Sequence, residues 1–324
     1  MQATITSDEV RRTYDLIRPY LRRTPILRIP LATLTGAQRD NVPDVVLKLE
    51  QLQCAGSFKA RGAFANLLLR EIPPAGVVAA SGGNHGVAVA YAAHRLGIPA
   101  KIFVPAISAA AKIAAIRSLG ADLRVGGDRY ADALAAAHIE IARSGAAGIH
   151  AFDQRETILG QGSLALELGE QVSDLDTVLV PVGGGGLIAG IAAYFAGAVR
   201  VIGVEPTDAP TLCHARAHGE PVDAPTGSIA ADALAPRRVG ELVFPLTQAY
   251  VSEVVLVDDE AIRQAQGTLW RAARLIAEPA AAVGLAALIT GGYRPEPGER
   301  VAVVITGANT SPAGLDPAPD GGSG

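Results

Sequence analysis

Short runs of β-branched residues alternate with alanine-rich helical stretches through most of the chain, and this alternation constrains the fold more than any other feature. Strands predicted at 77–80, 101–104 and 121–125 are each followed by a predicted helix. The same alternation resumes with strands at 177–182 and 200–204. Strands that alternate with helices of this length predict βαβ units and a mostly parallel sheet.

The alternating segments form two blocks, roughly 76–147 and 177–310, which predict two α/β layers with a cleft between them. A length of 324 residues is compatible with two domains. The segment from about Ser311, rich in Pro, Gly and Asp, is predicted to be a disordered tail. The amino-terminal stretch from Ser7 to Arg23 is charged and helix-like, without the apolar core of a signal peptide.

The amino-acid composition indicates which kinds of partner this protein can bind and in which cellular compartment we expect it. The chain carries 28 basic and 32 acidic residues without a basic block, which argues against a nucleic-acid partner. Two cysteines, Cys54 and Cys213, cannot build a disulfide framework, so we expect a reduced, cytoplasmic protein. The longest uncharged run, 177–199, is long enough for a bilayer. It contains Pro181 and four successive glycines, so we interpret it as strand, turn and helix and expect no membrane association.

Four glycines, Gly183 to Gly186, join the strand at 177–182 to a helix that starts at Leu187. Glycines let a backbone approach a ligand closely, and a helix N-terminus attracts negative charge, so the segment predicts a phosphate cradle. A tight turn without a ligand is the alternative. The pattern Gly184-x-Gly186-x-x-Ala189, with Glu205 about twenty residues on, also fits a dinucleotide fingerprint, which alone is a weak signal.

Two further segments carry candidate chemistry. Lys59, one of only four lysines, is flanked by Phe58 and small residues just before a helical stretch. Partial burial there would lower the pKa of the lysine and make it a nucleophile, whereas the alternative is a solvated lysine in a first helical turn. The segment Ser81-Gly-Gly-Asn-His-Gly86 again joins a strand to a helix, either as a helix cap or as a second anion-binding turn suited to a carboxylate. Two anion sites and one amine fit a phosphorylated aldehyde cofactor that handles an amino acid.

Four segments, in the same order over residues 5–312, carry a family resemblance. They are Ser57-Phe-Lys-Ala-Arg-Gly, Ser81-Gly-Gly-Asn-His-Gly, Pro181-Val-Gly-Gly-Gly-Gly-Leu and Thr306-Gly-Ala-Asn. The chain resembles the fold-type II pyridoxal-phosphate enzymes, the threonine/serine dehydratases and serine racemase in particular. This resemblance displaces the dinucleotide interpretation.

The resemblance implies a tryptophan synthase β-like fold of two domains, each a twisted, mostly parallel sheet flanked by helices. The large, cofactor-binding domain would comprise 1–52 and 148–312, and the small mobile domain 60–147, with Lys59 at the junction and 313–324 as the disordered tail. The family is usually dimeric, so a homodimer is expected.

The resemblance also implies roles for individual residues. Lys59 would bind the cofactor covalently and act in catalysis, Asn84 would bond the pyridoxal 3-hydroxyl, and Thr306 would face the pyridine nitrogen. The phosphate would lie against the glycine loop and its helix start. The implied cofactor contacts are Phe58, Lys59, Asn84, Gly183, Gly184, Gly185, Gly186, Leu187 and Thr306, and the implied carboxylate contacts are Ser81, Gly82, Gly83, Asn84 and His85.

The expected reaction is β-elimination of water from L-threonine, L-serine or a related β-hydroxy amino acid, giving a 2-keto acid and ammonia. Racemase-like members carry a serine just before the Gly-Asn-His unit, where this chain has Gly82, and glycine has no proton to give. A racemase is the nearest alternative. An NAD-dependent oxidoreductase and a non-catalytic cofactor-binding protein represent other classes.

Two acidic positions complete the predicted site. Glu278 matches a family segment near the cofactor's edge, and the alternative for it is an acid stabilised at a helix N-terminus. Glu205 and Ala209 resemble part of a divalent-cation site, but Thr211 stands where the family's aspartate would be, so a hard cation loses a charged oxygen ligand. Cys213, His214 and His218 suggest a zinc site, but without a second cluster a polar surface turn is the preferred interpretation.

Overall fold

The computed structural model describes residues 5–36, 43–234 and 236–310. The predicted disordered tail lies outside the described residues.

The described residues contain helices and strands in regular alternation. The helices are α1 Ser7–Ile17, α2 Leu31–Thr35, α3 Lys59–Leu69, α4 Asn84–Leu96, α5 Ala110–Ser118, α6 Tyr130–Ser144, α7 Arg155–Gln171, α8 Gly186–Phe195, α9 Thr211–His218, α10 Ala231–Leu234, α11 Val243–Tyr250, α12 Asp259–Ala273 and α13 Pro279–Ile289. The strands are β1 Ile26–Ile29, β2 Val45–Leu49, β3 Val77–Ala80, β4 Ala100–Val104, β5 Asp122–Val125, β6 Ala147–Gly148, β7 Thr177–Pro181, β8 Arg200–Pro206, β9 Val251–Val257 and β10 Val301–Ile305.

Six strands form the larger sheet, in the order β1-β2-β10-β7-β8-β9. Only the edge pair β1 and β2 is antiparallel, and the other neighbours are parallel. Strand β7 shows why the sheet is buried on both faces. Val178 and Val180 pack in one core cluster with residues of α7 and α8, whereas Leu179 packs in a second cluster with residues of α12 and α13. Successive side chains of a strand point to opposite faces, so helices cover this sheet on two sides.

Four strands form the smaller sheet, in the order β5-β4-β3-β6, and all of its pairings are parallel. Its main core joins β3 and β4 to α3 and α4, with Phe64 and Ile102 fully buried. Helix α6 covers the other face through a small cluster that contains Val78 and Ala137.

The predicted fold class is confirmed: both sheets are mostly parallel and flanked by helices. The two predicted blocks did not include strands β1 and β2. These strands precede Lys59 in the chain and extend the sheet built by residues 177–305. The uncharged run at 177–199 contains β7 and α8. None of the helices within the described ranges combines the length and apolar character needed to cross a membrane.

Candidate active site

Lys59 is the first residue of α3, which packs on the smaller sheet through Phe64 and pairs through Arg61 with Glu50, directly after β2 of the larger sheet. Its side chain is partly buried, and Nζ donates a hydrogen bond to the carbonyl oxygen of Ala151 at 2.9 Å. Nζ also lies 5.1 Å from the ring centre of Phe58. Burial lowers the pKa of Lys59 to about 8, and the negative charge of Glu278 opposes this shift. The side chain therefore supplies free amine at near-neutral pH, as a nucleophile or base requires.

The glycine loop lies between the carboxyl end of β7 and the start of α8. A Cβ on Gly184 would come within 2.4 Å of the Phe152 ring, and one on Gly186 within 2.8 Å of the Phe152 backbone. Gly185 has φ +87°, a left-handed conformation that glycine adopts without steric cost. Leu187 is buried behind the loop. The first N–H groups of α8 lack helical partners and point out of the helix start, which suits a phosphate.

The turn from Ser81 to His85 joins β3 to α4, which begins at Asn84. The N–H of Gly83 donates to Ser81 Oγ at 3.1 Å, and the other N–H groups at the helix start lack helical partners. The His85 ring is buried, with Nε2 3.1 Å from the carbonyl oxygen of Ile149. Burial lowers the pKa of His85 to about 3, so the ring is neutral. A carboxylate at this turn would meet backbone N–H groups, and the His85 ring would bring no charge to it.

Glu278 lies directly before α13, but its carboxylate does not cap that helix. Oε1 accepts a hydrogen bond from Asn84 Nδ2, and Asn84 Oδ1 accepts one from Asn309 Nδ2 at 2.9 Å. Oε2 is buried without a hydrogen-bond partner among the described residues and lies 3.9 Å from Lys112 Nζ. Burial raises the pKa of Glu278. Oε2 thus pairs with Lys112 by charge alone, and a polar ligand at this edge could supply the hydrogen bond that it lacks.

Thr306 directly follows β10 and lies on the side of the site formed by the larger sheet. Its side chain is buried, and its carbonyl oxygen accepts a hydrogen bond from the N–H of Phe58 at 3.1 Å. The residues Ser57 and Gly307 form an isolated antiparallel bridge beside this contact. The segment that carries Lys59 is thus hydrogen-bonded to the residue after β10, and the hydroxyl group of Thr306 adds no charge to the site.

Glu205 has no free oxygen for a cation. Its carboxylate accepts hydrogen bonds from the Thr211 hydroxyl at 2.8 Å, Leu212 N–H at 2.8 Å and Cys213 N–H at 2.9 Å. The carbonyl oxygen of Ala209 accepts the N–H of Thr211. Burial raises the pKa of Glu205 to about 7. These residues cap α9 and do not fit a divalent cation, and within the described ranges no three His, Cys, Asp or Glu side chains cluster as metal ligands would.

Three residues of the site, Phe152, Lys112 and Asp232, could not be recognised as site residues from the sequence. Phe152 packs against the glycine loop from the segment between β6 and α7. Lys112 of α5, only 3% exposed, pairs with Asp232 of α10 and so joins the smaller sheet's helix to the larger sheet's side of the site. A lysine in an alanine-rich helix and an aspartate in a loop-like segment look like ordinary surface residues until the fold brings them together.

The residues brought together fit a phosphorylated pyridine aldehyde. The structure places the Lys59 amine beside Ala151 and Phe152, and Phe152 contacts the glycine loop. The N–H groups at the start of α8 suit the phosphate, and Glu278 accepts a hydrogen bond from the Asn84 amide through Oε1 while its Oε2 makes none.

Comparisons with known proteins agree with this fit. Residues 17–307 match the model of the family described as "Pyridoxal-phosphate dependent enzyme". The chain is 36% identical to the L-threonine ammonia-lyase of Thermotoga maritima over 311 residues, which cover 94% of this chain and 76% of the relative. It is 39% identical to the biosynthetic L-threonine dehydratase IlvA of Salmonella typhimurium over 316 residues, or 91% of this chain, and spans only 60% of that relative's length.

Among solved structures, that of maize serine racemase superposes with a TM-score of 0.88 at 31% identity, covering 95% of this chain and 94% of the racemase chain. The family match spans nearly the whole described chain, and it contains Lys59, the turn at 81–85 and the glycine loop. The chain therefore belongs to the pyridoxal-phosphate dependent enzymes, and its cofactor is pyridoxal 5′-phosphate.

Proposed function

We propose that this chain is a deaminating dehydratase that removes water from a β-hydroxy amino acid, with L-threonine or L-serine as its substrate. The observation that carries the proposal is the position of the Lys59 amine. It is partly buried, has a pKa lowered to about 8, and stands at the head of α3, hydrogen-bonded to Ala151, which precedes the Phe152 that packs on the glycine loop. The two relatives named as threonine ammonia-lyase or dehydratase, at 36% and 39% identity, support the choice of reaction.

The residues divide the work of this reaction. When bound, pyridoxal phosphate supplies an electron sink for the electrons left at Cα. The Ser81 N–H is bonded to Phe103 and the Gly83 N–H to Ser81, so the N–H groups of Gly82, Asn84 and His85 hold the substrate carboxylate. Nζ of Lys59 takes the Cα proton. The β-carbon–oxygen bond breaks, the hydroxyl takes up a proton and leaves as water, and the released enamine hydrolyses to a 2-keto acid and ammonia. Gly82 offers no side chain that could return a proton to the opposite face of Cα.

The direct test is an assay of the purified enzyme for keto acid, ammonia and D-amino acid. L-threonine, L-serine, phenylserine and 3-hydroxyaspartate would be supplied in turn. We expect keto acid and ammonia in equal amounts from L-threonine or L-serine. D-amino acid without keto acid would make the enzyme a racemase, and the absence of both products with bound cofactor would make it a binding protein.

We also propose the predicted domain division, with 60–147 as the small mobile domain. The four-stranded sheet supports it, because all of its strands lie between Val77 and Gly148 and none belongs to the six-stranded sheet. The homodimer and the cytoplasmic location stay predictions, and sedimentation velocity tests the first.

The Glu278→Gln substitution is expected to lower the pKa of Lys59 further. The carboxylate of Glu278 raises that pKa electrostatically, whereas burial lowers it. Without the negative charge, the lowering by burial is opposed less. Only the free amine captures the cofactor, and in the native protein its fraction rises as the pH passes through about 8. The midpoint of the capture rate against pH, measured by stopped-flow absorbance on apoprotein, should therefore move to lower pH. Glu260→Gln, on an exposed helix position, is the control, and a midpoint that stays or rises refutes the role of Glu278.

The Gly186→Ala substitution is expected to weaken binding of pyridoxal phosphate at least about 10-fold. The added Cβ would lie 2.8 Å from the Cα and carbonyl oxygen of Phe152, which are backbone atoms, so the loop must shift and lose charge-assisted hydrogen bonds. Equilibrium dialysis gives the Kd. Gly126→Ala is a matched control, because its Cβ would meet no atom within 4 Å. A lower Tm with unchanged Kd would mean that the glycine serves packing alone.

A further inference from the structure

Ser108 stands directly beside the turn that binds the substrate carboxylate in the proposed function. It lies between β4 and α5, whereas Gly82 lies between β3 and α4. Strands β3 and β4 are parallel neighbours, with Ala80 opposite Phe103, and the N–H of Ser81 donates to the Phe103 carbonyl oxygen at 2.9 Å. The segments that follow the two strands therefore meet at one edge of the sheet.

The Ser108 side chain occupies the space that a side chain at residue 82 would need. A Cβ built on Gly82 would lie 1.8 Å from Ser108 Oγ and 2.5 Å from Ser108 Cβ, and Val104 Cγ1 would be 3.0 Å away. Real Cβ atoms essentially never approach other heavy atoms closer than 3.0 Å. A side chain at residue 82 would therefore collide with the hydroxymethyl group of Ser108.

The Ser108 hydroxyl is available to a ligand. Ser81 Oγ already accepts the N–H of Gly83, whereas Ser108 Oγ makes no hydrogen bond to any residue in the described part of the chain. Ser108 is partly exposed, and its hydroxyl lies against the backbone of Gly82, within the turn itself. A hydroxyl here can donate to an anion held by the N–H groups at the start of α4.

We propose that Ser108 is a substrate-binding residue whose hydroxyl donates a hydrogen bond to the carboxylate of the amino acid held at residues 81–85. The inference rests on the proposed function only in placing an amino-acid carboxylate at this turn. A hydroxyl that donates to the carboxylate is not free to protonate Cα, which agrees with a lyase.

Two non-reactive probes separate this contact from a general effect on the site. L-alanine has the amine and carboxylate but no β-hydroxyl to lose, and ethylamine has the amine alone. Their Kd values follow from the change in the cofactor's absorbance on titration. In Ser108→Ala we expect L-alanine to bind about 10-fold more weakly, equivalent to about 1.4 kcal/mol, and ethylamine within about 2-fold of native, a change of about 0.4 kcal/mol. Ser118→Ala, at the other end of α5, should change neither.

Equal weakening for both probes, or no weakening for either, overturns the proposal. A failed dehydratase assay leaves this test intact, because L-alanine binding needs no elimination. If the native protein lacks the absorbance band of the cofactor, that result contradicts the proposed function and not the role of Ser108.

The close contact between residue 82 and Ser108 can be tested separately. Gly82→Ala should lower Tm and weaken L-alanine binding, because its Cβ collides with Ser108. The double variant Gly82→Ala/Ser108→Gly removes that collision, so Tm should recover while the loss of L-alanine affinity, about 10-fold, stays. Recovery of both quantities would show that Ser108 acts by volume alone and would refute the hydrogen bond.

Discussion

The Lys59→Ala variant is expected to lose the long-wavelength absorbance of the bound cofactor and at least about 10⁴-fold in kcat for keto-acid formation. Nζ is both the atom that binds the cofactor aldehyde and the base that takes the Cα proton in the proposed function. Its hydrogen bond to Ala151 and its place over the Phe58 ring aim it into the site, and alanine supplies neither amine nor reach. Absorbance after dialysis against pyridoxal phosphate and a coupled keto-acid assay measure the two losses.

Lys101→Ala provides the matched control, because Lys101 lies in β4 of the smaller sheet and pairs with Glu140 away from the site. It should keep the absorbance band and the native kcat. A band that survives in Lys59→Ala would place the covalent link on another lysine. Lys112 is the candidate for that outcome, since it is the second lysine buried beside Glu278.

The fold was largely predictable from the sequence because the strands and helices that alternate are locally encoded. The predicted strand at 77–80 is β3, and the predicted strand at 101–104 lies within β4. Strands β1 and β2 were missed, because each is short and pairs across long sequence separations, with β2 lying between β1 and β10. Their place in the sheet depends on tertiary pairing, which no local pattern encodes.

The site was predictable wherever a motif carries its own geometry. The glycine loop and the Ser81 turn both follow strands and open helices, as their sequences indicate. The contacts between motifs were not predictable. Phe152 against Gly184, Asn309 on Asn84 and Ser108 against Gly82 each join segments far apart in the chain, and none has a distinctive residue type. For Glu278, two alternatives stayed open in the sequence, and only the hydrogen bond to Asn84 distinguishes them.

A buried ion cluster two residues along α3 from Lys59 anchors that helix to the larger sheet. Arg61 Nε and Nη2 donate to Glu50 at 2.8 and 2.7 Å, and Nη1 and Nη2 donate to Glu167 at 3.0 and 2.9 Å. Lys48 Nζ donates to Glu167 at 2.8 Å. All four side chains are at most 1% exposed. Two cations face two carboxylates, so the loss of any one of the four leaves an unbalanced charge.

The Arg61→Met substitution is expected to lower the free energy of unfolding by about 3–5 kcal/mol, because breaking a buried pair leaves an uncompensated charge. Urea denaturation followed by circular dichroism measures the loss. Arg263→Met removes an exposed pair with Glu260 and should cost no more than about 0.5 kcal/mol. Equal costs for the two variants would show that the buried cluster contributes no more than a surface pair.

The double variant Glu50→Gln/Arg61→Met separates charge from packing. It leaves Glu167 opposite Lys48, so the cluster is neutral again, and the amide oxygen that replaces the Glu50 carboxylate can still accept the hydrogen bond of the Thr24 hydroxyl. We expect the double variant to be more stable than Arg61→Met by about 1 kcal/mol or more, since paired groups in contact couple non-additively. If the second substitution instead adds its own loss, the cost at Arg61 comes from the lost side-chain volume and hydrogen bonds. The charge balance would then not be what holds the start of α3, and with it Lys59, in place.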